Sequence, residues 1–132
     1  MPIDEVSVPG WPRPRGYING AIGRGAVLHV AGQIGWGTDG RFAATDLAGQ
    51  FGVALDNVIA VVTAAGGAPT DIAEMTVYVT DVAAYRASAR AIGEAWRARL
   101  GTHYPAMALV QVAALVEPTA VVEIQAVAYL ER

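Results

Sequence analysis

The sequence predicts a single α+β domain in which two helices lie on one face of a β-sheet, in the order βββαβαββ. Three observations carry this prediction. The chain is 132 residues long, one domain's worth and enough to bury a core. Two stretches place apolar residues three and four positions apart, as amphipathic helices do. The remaining apolar stretches are shorter, mostly alternate in polarity and are bounded by glycine and proline, as strands are.

Taken in order, residues 1–15 read as an extended N-terminal lead, because Pro9, Pro12 and Pro14 fix φ and keep the residues before them out of the helical region. Residues 16–132 form the domain. Apolar runs at 17–22 and 26–34 flank Gly23-Arg24-Gly25, short enough for a hairpin loop. Asp39-Gly40 sets up a turn into a third short strand at 41–43. Asp46 is placed as an N-cap, and Leu47, Phe51, Leu55, Val58, Ile59 and Val62 then mark one face of a helix that Gly66-Gly67 ends. Residues 74–80 alternate, with Met75, Val77 and Val79 on one face. Asp81 caps a second helix carrying Tyr85, Ala89, Ile92, Trp96 and Leu100, with Arg90 and Glu94 four apart on its solvent side and Gly101 stopping it. Strands at 106–114 and 120–130 close the chain across Glu117-Pro118.

Two helices cover only one side of a sheet. Both faces of the last two strands are rich in apolar residues, so the second face calls for another copy of the chain. A cyclic homo-oligomer closes that arrangement, and a cleft between copies is the natural place for a site. Composition agrees: 54% of residues are hydrophobic and 16% charged, against roughly 45–50% and 25% in an ordinary domain.

The composition also excludes chemistries. All nine basic residues are arginines, and there is neither lysine nor cysteine. Schiff-base catalysis, a P-loop, thiol catalysis and thiolate metal sites are therefore out. The net charge is −3 with scattered arginines, which offers no basic stripe for nucleic acid. The uncharged stretch at 104–116 falls short of the roughly 18 residues of a membrane span. The first residues lack a basic start followed by an apolar run, so a cytoplasmic location without membrane attachment is expected.

Few residues remain as candidates for chemistry. Gly35 to Gly40 matches G-x-G-x-x-G, but it leads into Arg41-Phe42 rather than a helix and reads as a β-turn. His29 and His103 are too few for a metal site without cysteine. Ser7 and Ser88 lie in no nucleophile motif. Glu123 stands apart as a carboxylate within an apolar strand, on the face expected to meet another copy. Such a group is either a general acid or base that handles water, since desolvation raises a carboxylate's pKa, or half of an interface ion pair with an arginine. Tyr17 could offer a hydroxyl to the same cleft.

Four segments in order add to this reading: Gly16-Tyr17-Ile18-Asn19-Gly20-Ala21; Leu28-His29-Val30-Ala31-Gly32-Gln33-Ile34; Met75-Thr76-Val77-Tyr78-Val79-Thr80-Asp81; and Tyr104-Pro105-Ala106 with Val121-Val122-Glu123-Ile124. Together they resemble the RidA family of small enamine/imine deaminases over residues 16–130. The resemblance implies a chorismate-mutase-like fold, assembly as a homotrimer and small-molecule sites at the subunit interfaces, with no metal or organic cofactor. It assigns the attacking water to Glu123, a polar contact to Tyr17 and backbone contacts to Gly32.

The sequence also departs from the family pattern. Met107 stands where active members carry the arginine that binds the substrate carboxylate, Ala31 where a serine or threonine is usual, and Leu109 where a small residue is common. A thioether cannot pair with a carboxylate. The expected function is therefore a divergent deaminase acting on a neutral or apolar enamine or imine, with Met107 and Leu109 as an apolar wall. The alternative is a non-catalytic trimer that binds a small ligand or partner protein in the same clefts, where methionine makes an adaptable lining.

Overall fold

The structure, a computed structural model, describes residues 3–132. In chain order it contains β1 (Ile3–Val6), β2 (Gly20–Gly23), β3 (Ala26–Ile34), α1 (Leu47–Ala64), a single 3-10 turn (Pro69–Asp71), β4 (Ile72–Val79), α2 (Val82–Ala87), α3 (Ala89–Leu100), β5 (Ala106–Gln111) and β6 (Val122–Leu130). The α+β class stands. Four strands make the main sheet in the order β3-β6-β4-β5, and β1 and β2 form a separate antiparallel ribbon. Within the main sheet only β4 and β5 run parallel.

The aspartates start the helices as their positions predict. Asp46 accepts a hydrogen bond from the Gly49 amide at the head of α1, and Asp81 accepts from the amides of Ala83 and Ala84 at the head of α2. Gly101 ends α3 with φ 61, a conformation that suits glycine. The single helix expected between Asp81 and Gly101 is two, because the backbone at Ser88 (φ −100, ψ 9) leaves the helical region. Arg90 and Glu94 form the expected i, i+4 contact, at 3.5 Å.

Two strand expectations are corrected. Residues 17–22 and 26–34 form no hairpin. β2 pairs with β1 (Val6 opposite Gly20, Ile3 opposite Gly23), whereas β3 pairs with β6. The link Arg24-Gly25 is thus a bend between sheets: Gly25 has φ 103, and a Cβ on it would lie 2.2 Å from the Leu130 carbonyl oxygen. No strand forms at 41–43 either. The Asp39-Gly40 signal is spent on a turn in which the Gly37 amide bonds to the Arg41 carbonyl and the Gly40 amide to that of Gly37. The third strand before α1 comes instead from within the N-terminal lead, as β1.

The core lies between the sheet and α1. Val122, Ile124, Ala126 and Ala128 of β6 and Met75, Val77 and Val79 of β4 are buried together with Phe51, Leu55, Val58 and Val62 of α1. By length and composition α1 could cross a membrane, but these contacts make it the core helix of the domain. Alternation along β6 turns Glu123, Gln125, Val127 and Tyr129 to the opposite face, where Val27 (49% exposed) and Val110 (43% exposed) also lie uncovered.

Candidate active site

The structure sorts the candidate residues into two groups at opposite edges of the sheet. The first centres on a β-bulge in β3. Val30 pairs with Ala126 and Gln33 with Ile124, so Ala31 and Gly32 together face the single residue Gln125. A bulge re-aims the backbone and leaves part of it unpaired. The Glu123 side chain occupies the space this creates. A Cβ built on Gly32 would lie 2.5 Å from Glu123 Oε2 and 2.7 Å from its carboxyl carbon, so only glycine at position 32 leaves the carboxylate where it is.

Glu123 is half-buried on the open face, across from Tyr78 of β4. Among the described residues its carboxylate has neither an ion-pair partner nor a hydrogen-bond donor. Nearby polar groups are engaged elsewhere: Tyr78 donates to Gln125 (3.3 Å), and Gln33 donates to the Ala31 carbonyl (3.0 Å). The carboxylate is thus positioned by packing and left free to accept.

The second group gathers at β5, the far edge. The Ile18 amide bonds to the Pro105 carbonyl (3.1 Å), and Ile18 bridges to Ala106 in parallel register. That pairing sets Tyr17 beside the start of β5. Tyr17 is 43% exposed and lines a cavity of about 590 Å³ with Glu5, Arg13 and His103. Met107 and Leu109 pair with Met75 and Val77, both buried on the helix side, and line a second cavity of about 460 Å³ with Phe51, Ile92, Trp96 and Arg97. Arg15, Gly16 and Tyr104 border both cavities.

One protomer therefore does not bring Glu123 together with Tyr17, Met107 or Leu109. β6 and β4 separate the β3 bulge from β5, and Glu123 faces away from the layer that Met107 and Leu109 enter. Ala31, Gly32 and Glu123 form one group, and Tyr17, Met107 and Leu109 the other.

Two further residues matter that composition and spacing did not single out. Gln50, fully buried in α1, donates to the carbonyls of Ala44 (3.1 Å) and Thr119 (3.0 Å) and accepts from the Val121 amide (2.9 Å). It thereby fixes the segment that enters β6 just before Glu123. Its signal was a polar residue on the buried helical stripe, between Leu47 and Ala54. Arg97 is the other, an arginine of α3 at an apolar cavity.

The remaining candidates take structural places. His103 bonds through Nε2 to the Ile72 carbonyl (2.8 Å), and its own carbonyl accepts from Trp96 Nε1 (3.1 Å). No group of three or more His, Asp or Glu suited to a metal ion occurs among the described residues. Gly35 to Gly40 forms the turn described above, with Gly35 packed directly on Gln50.

Residues 12–130 match the family described as endoribonuclease L-PSP. Among solved structures, a protein of unknown function of the conserved Rid family, YyfB from Yersinia pestis, superposes with a TM-score of 0.87 at 27% identity, over 98% of this chain and 100% of that one. TdcF from E. coli, solved with bound serine, superposes at 0.69 with 31% identity over 97% and 99%. RidA from an Antarctic Psychrobacter gives 0.69 with 27% identity over 98% and 99%. None of the curated proteins matches the sequence.

Proposed function

The chain belongs to the endoribonuclease L-PSP family, which includes the Rid and RidA proteins, and from that premise we propose that it is a hydrolytic deaminase of an apolar enamine or imine. The observation that carries this reading is the Glu123 carboxylate, held over Gly32 at a β-bulge with no cation or donor of its own. A carboxylate so placed accepts a proton from water as the water oxygen adds to an imine carbon. The nitrogen takes up that proton to complete the carbinolamine, which then collapses: the carboxylate takes the hydroxyl proton as the carbonyl forms, the carbon–nitrogen bond breaks, and this second proton passes to nitrogen, so that ammonia and a carbonyl compound leave. An enamine enters the same path once protonated at carbon. No cofactor is required by this balance.

The two half-sites support a site shared between copies. In a cyclic homotrimer each bulge of one copy can meet the β5 edge of the next, which also covers the apolar face around Val27, Val127 and Tyr129. Met107 and Leu109 then supply an apolar wall, and Tyr17 a hydroxyl. The family description names RNA cleavage, but a net charge of −3 without lysine gives little attraction for a phosphate backbone. The reading is accordingly of a cytoplasmic, small-molecule enzyme.

The test is ammonia release from carboxylate-free imines formed in situ by a flavin amine oxidase, beside the carboxylate-bearing ones that an amino-acid oxidase forms, with small, branched and aromatic side chains compared. Turnover by the native chain that falls about a hundredfold or more in Glu123→Gln supports the proposal, in line with the usual worth of a general base. Absence of turnover across the series overturns it. The cavity beside Met107, which lies away from Glu123, favours a second reading as a non-catalytic binder. A ligand bound there with no ammonia released would establish that reading instead.

A further inference from the structure

Beside Glu123 the open face carries a second polar side chain with bonding capacity to spare. Gln125 stands two residues further along β6, so alternation puts it on the same face as Glu123, about 6.6 Å along the strand. The bulge residues Ala31 and Gly32 lie across from Gln125 on β3, and Thr76 lies across from it on β4.

The amide of Gln125 is oriented. Tyr78, directly opposite Glu123 on β4, donates its hydroxyl proton to Gln125 Oε1 at 3.3 Å. That bond distinguishes the two ends of the amide, turning the oxygen toward Tyr78 and leaving the nitrogen as a donor. Among the described residues Nε2 has no acceptor, and the Glu123 carboxylate has no donor. A free donor and a free acceptor thus stand side by side at the bulge without bonding each other. Two hydrogen bonds of about 2.8 Å that meet at one oxygen span about 5.5 Å, a gap that two flexible side chains rooted at this spacing can bridge.

We infer that Gln125 Nε2 donates a hydrogen bond to the same oxygen that Glu123 deprotonates, and that Tyr78 sets the amide for that task. The inference rests on the deaminase reading and adds a second catalytic group to it. As the water approaches, Glu123 accepts one of its protons and Gln125 occupies one lone pair, which aims the other lone pair at the imine carbon. In the carbinolamine that oxygen is a hydroxyl. When Glu123 takes its proton, negative charge builds on the oxygen before the carbonyl forms, and the N–H donor stabilises that charge. The amide keeps its own protons throughout, so the balance of the hydrolysis is unchanged. In the proposed ring the face is covered by another copy, where an N–H without a partner is costly; the reacting oxygen supplies its acceptor.

Ammonia release from the carboxylate-free imines, measured for the native chain, Gln125→Leu, Tyr78→Phe and the double variant, tests this. Gln125 is exposed, so Gln125→Leu is expected to melt with the native chain. Its kcat is expected to fall about a hundredfold with KM unchanged, as for a donor that acts on developing charge. Tyr78→Phe is expected to lower kcat about fivefold, the worth of one neutral hydrogen bond, and to cost nothing further once residue 125 is leucine, because Tyr78 acts only through the amide. The inference is overturned if Gln125→Leu turns over normally, if it raises KM alone, or if the losses of the two single variants multiply in the double one. Normal turnover in Gln125→Leu beside its collapse in Glu123→Gln refutes the role of Gln125 and leaves the deaminase reading standing. A native chain that releases no ammonia refutes both.

Discussion

The β3–β6 edge and the β5 edge are held by different means. At the first, position is dictated by the backbone: a bulge opens the strand, and the carboxylate of Glu123 fills space that any side chain on residue 32 would take. At the second, position is dictated by side chains: Met107 and Leu109 are partly buried against the core and border a cavity. Residue type is therefore stringent at one edge and permissive at the other. A fold built this way can keep the Glu123 edge fixed while the side chains at the β5 edge change.

Substitution at the stringent edge gives the largest expected effect. Gly32→Val places a Cβ 2.5 Å from Glu123 Oε2 and displaces the carboxylate, so ammonia release is expected to fall about a hundredfold, as for a misplacement of about 1 Å. Thermal melting should move little, since residue 32 is exposed. Normal turnover in this variant would remove the basis of the comparison. Gln50→Ala comes next. It leaves the Val121 amide and the carbonyls of Ala44 and Thr119 without their partner and should cost about 2–4 kcal/mol in denaturant unfolding, beyond the about 1–3 kcal/mol of a single orphaned group.

The permissive edge should respond weakly. Met107→Leu conserves volume and is expected to cost less than about 1.5 kcal/mol, with turnover retained on bulky substrates; a larger loss measured by the same unfolding curves would show that this edge is as constrained as the other. The smallest effect concerns Tyr85, which lines the same cavity. Burial raises its pKa above the ordinary 10.0. The unfolded chain therefore gives up this proton first, so its contribution is intact below about pH 10 and stability falls as the pH climbs from there. Tyr85→Phe should flatten that alkaline part of a stability profile.

Much of this was legible in the sequence. The helix caps at Asp46 and Asp81, the stop at Gly101 and the alternation through Glu123 are local signals, and each is found where its residues stand. What was not legible depends on distant partners. Whether 17–22 folds back on 26–34 or on the lead depends on strands remote in sequence, since β2 pairs with β1 and β3 with β6. The break at Ser88 reflects a choice between two helical segments that a serine alone does not announce. At the candidate site, Glu123 stood out because a charge in an apolar strand is unusual. Gly32 fitted a motif, but its steric purpose is visible only once β3 lies beside β6. Arg97 looked like any solvent-facing helical arginine until the cavity beside it was seen.

The separation of the two half-sites across the sheet, with β3 at one edge and β5 at the other, has a genetic corollary. On the proposed function, a chain altered by Glu123→Gln and another altered at the β5 edge are each expected to be inactive when pure. If the chain assembles as the proposed ring of three, every mixed ring contains one junction at which the sound bulge of one chain meets the sound edge of the other. On the proposed shared site two defective alleles are therefore expected to complement each other within a single oligomer, which a protein carrying its whole site on one chain could not achieve.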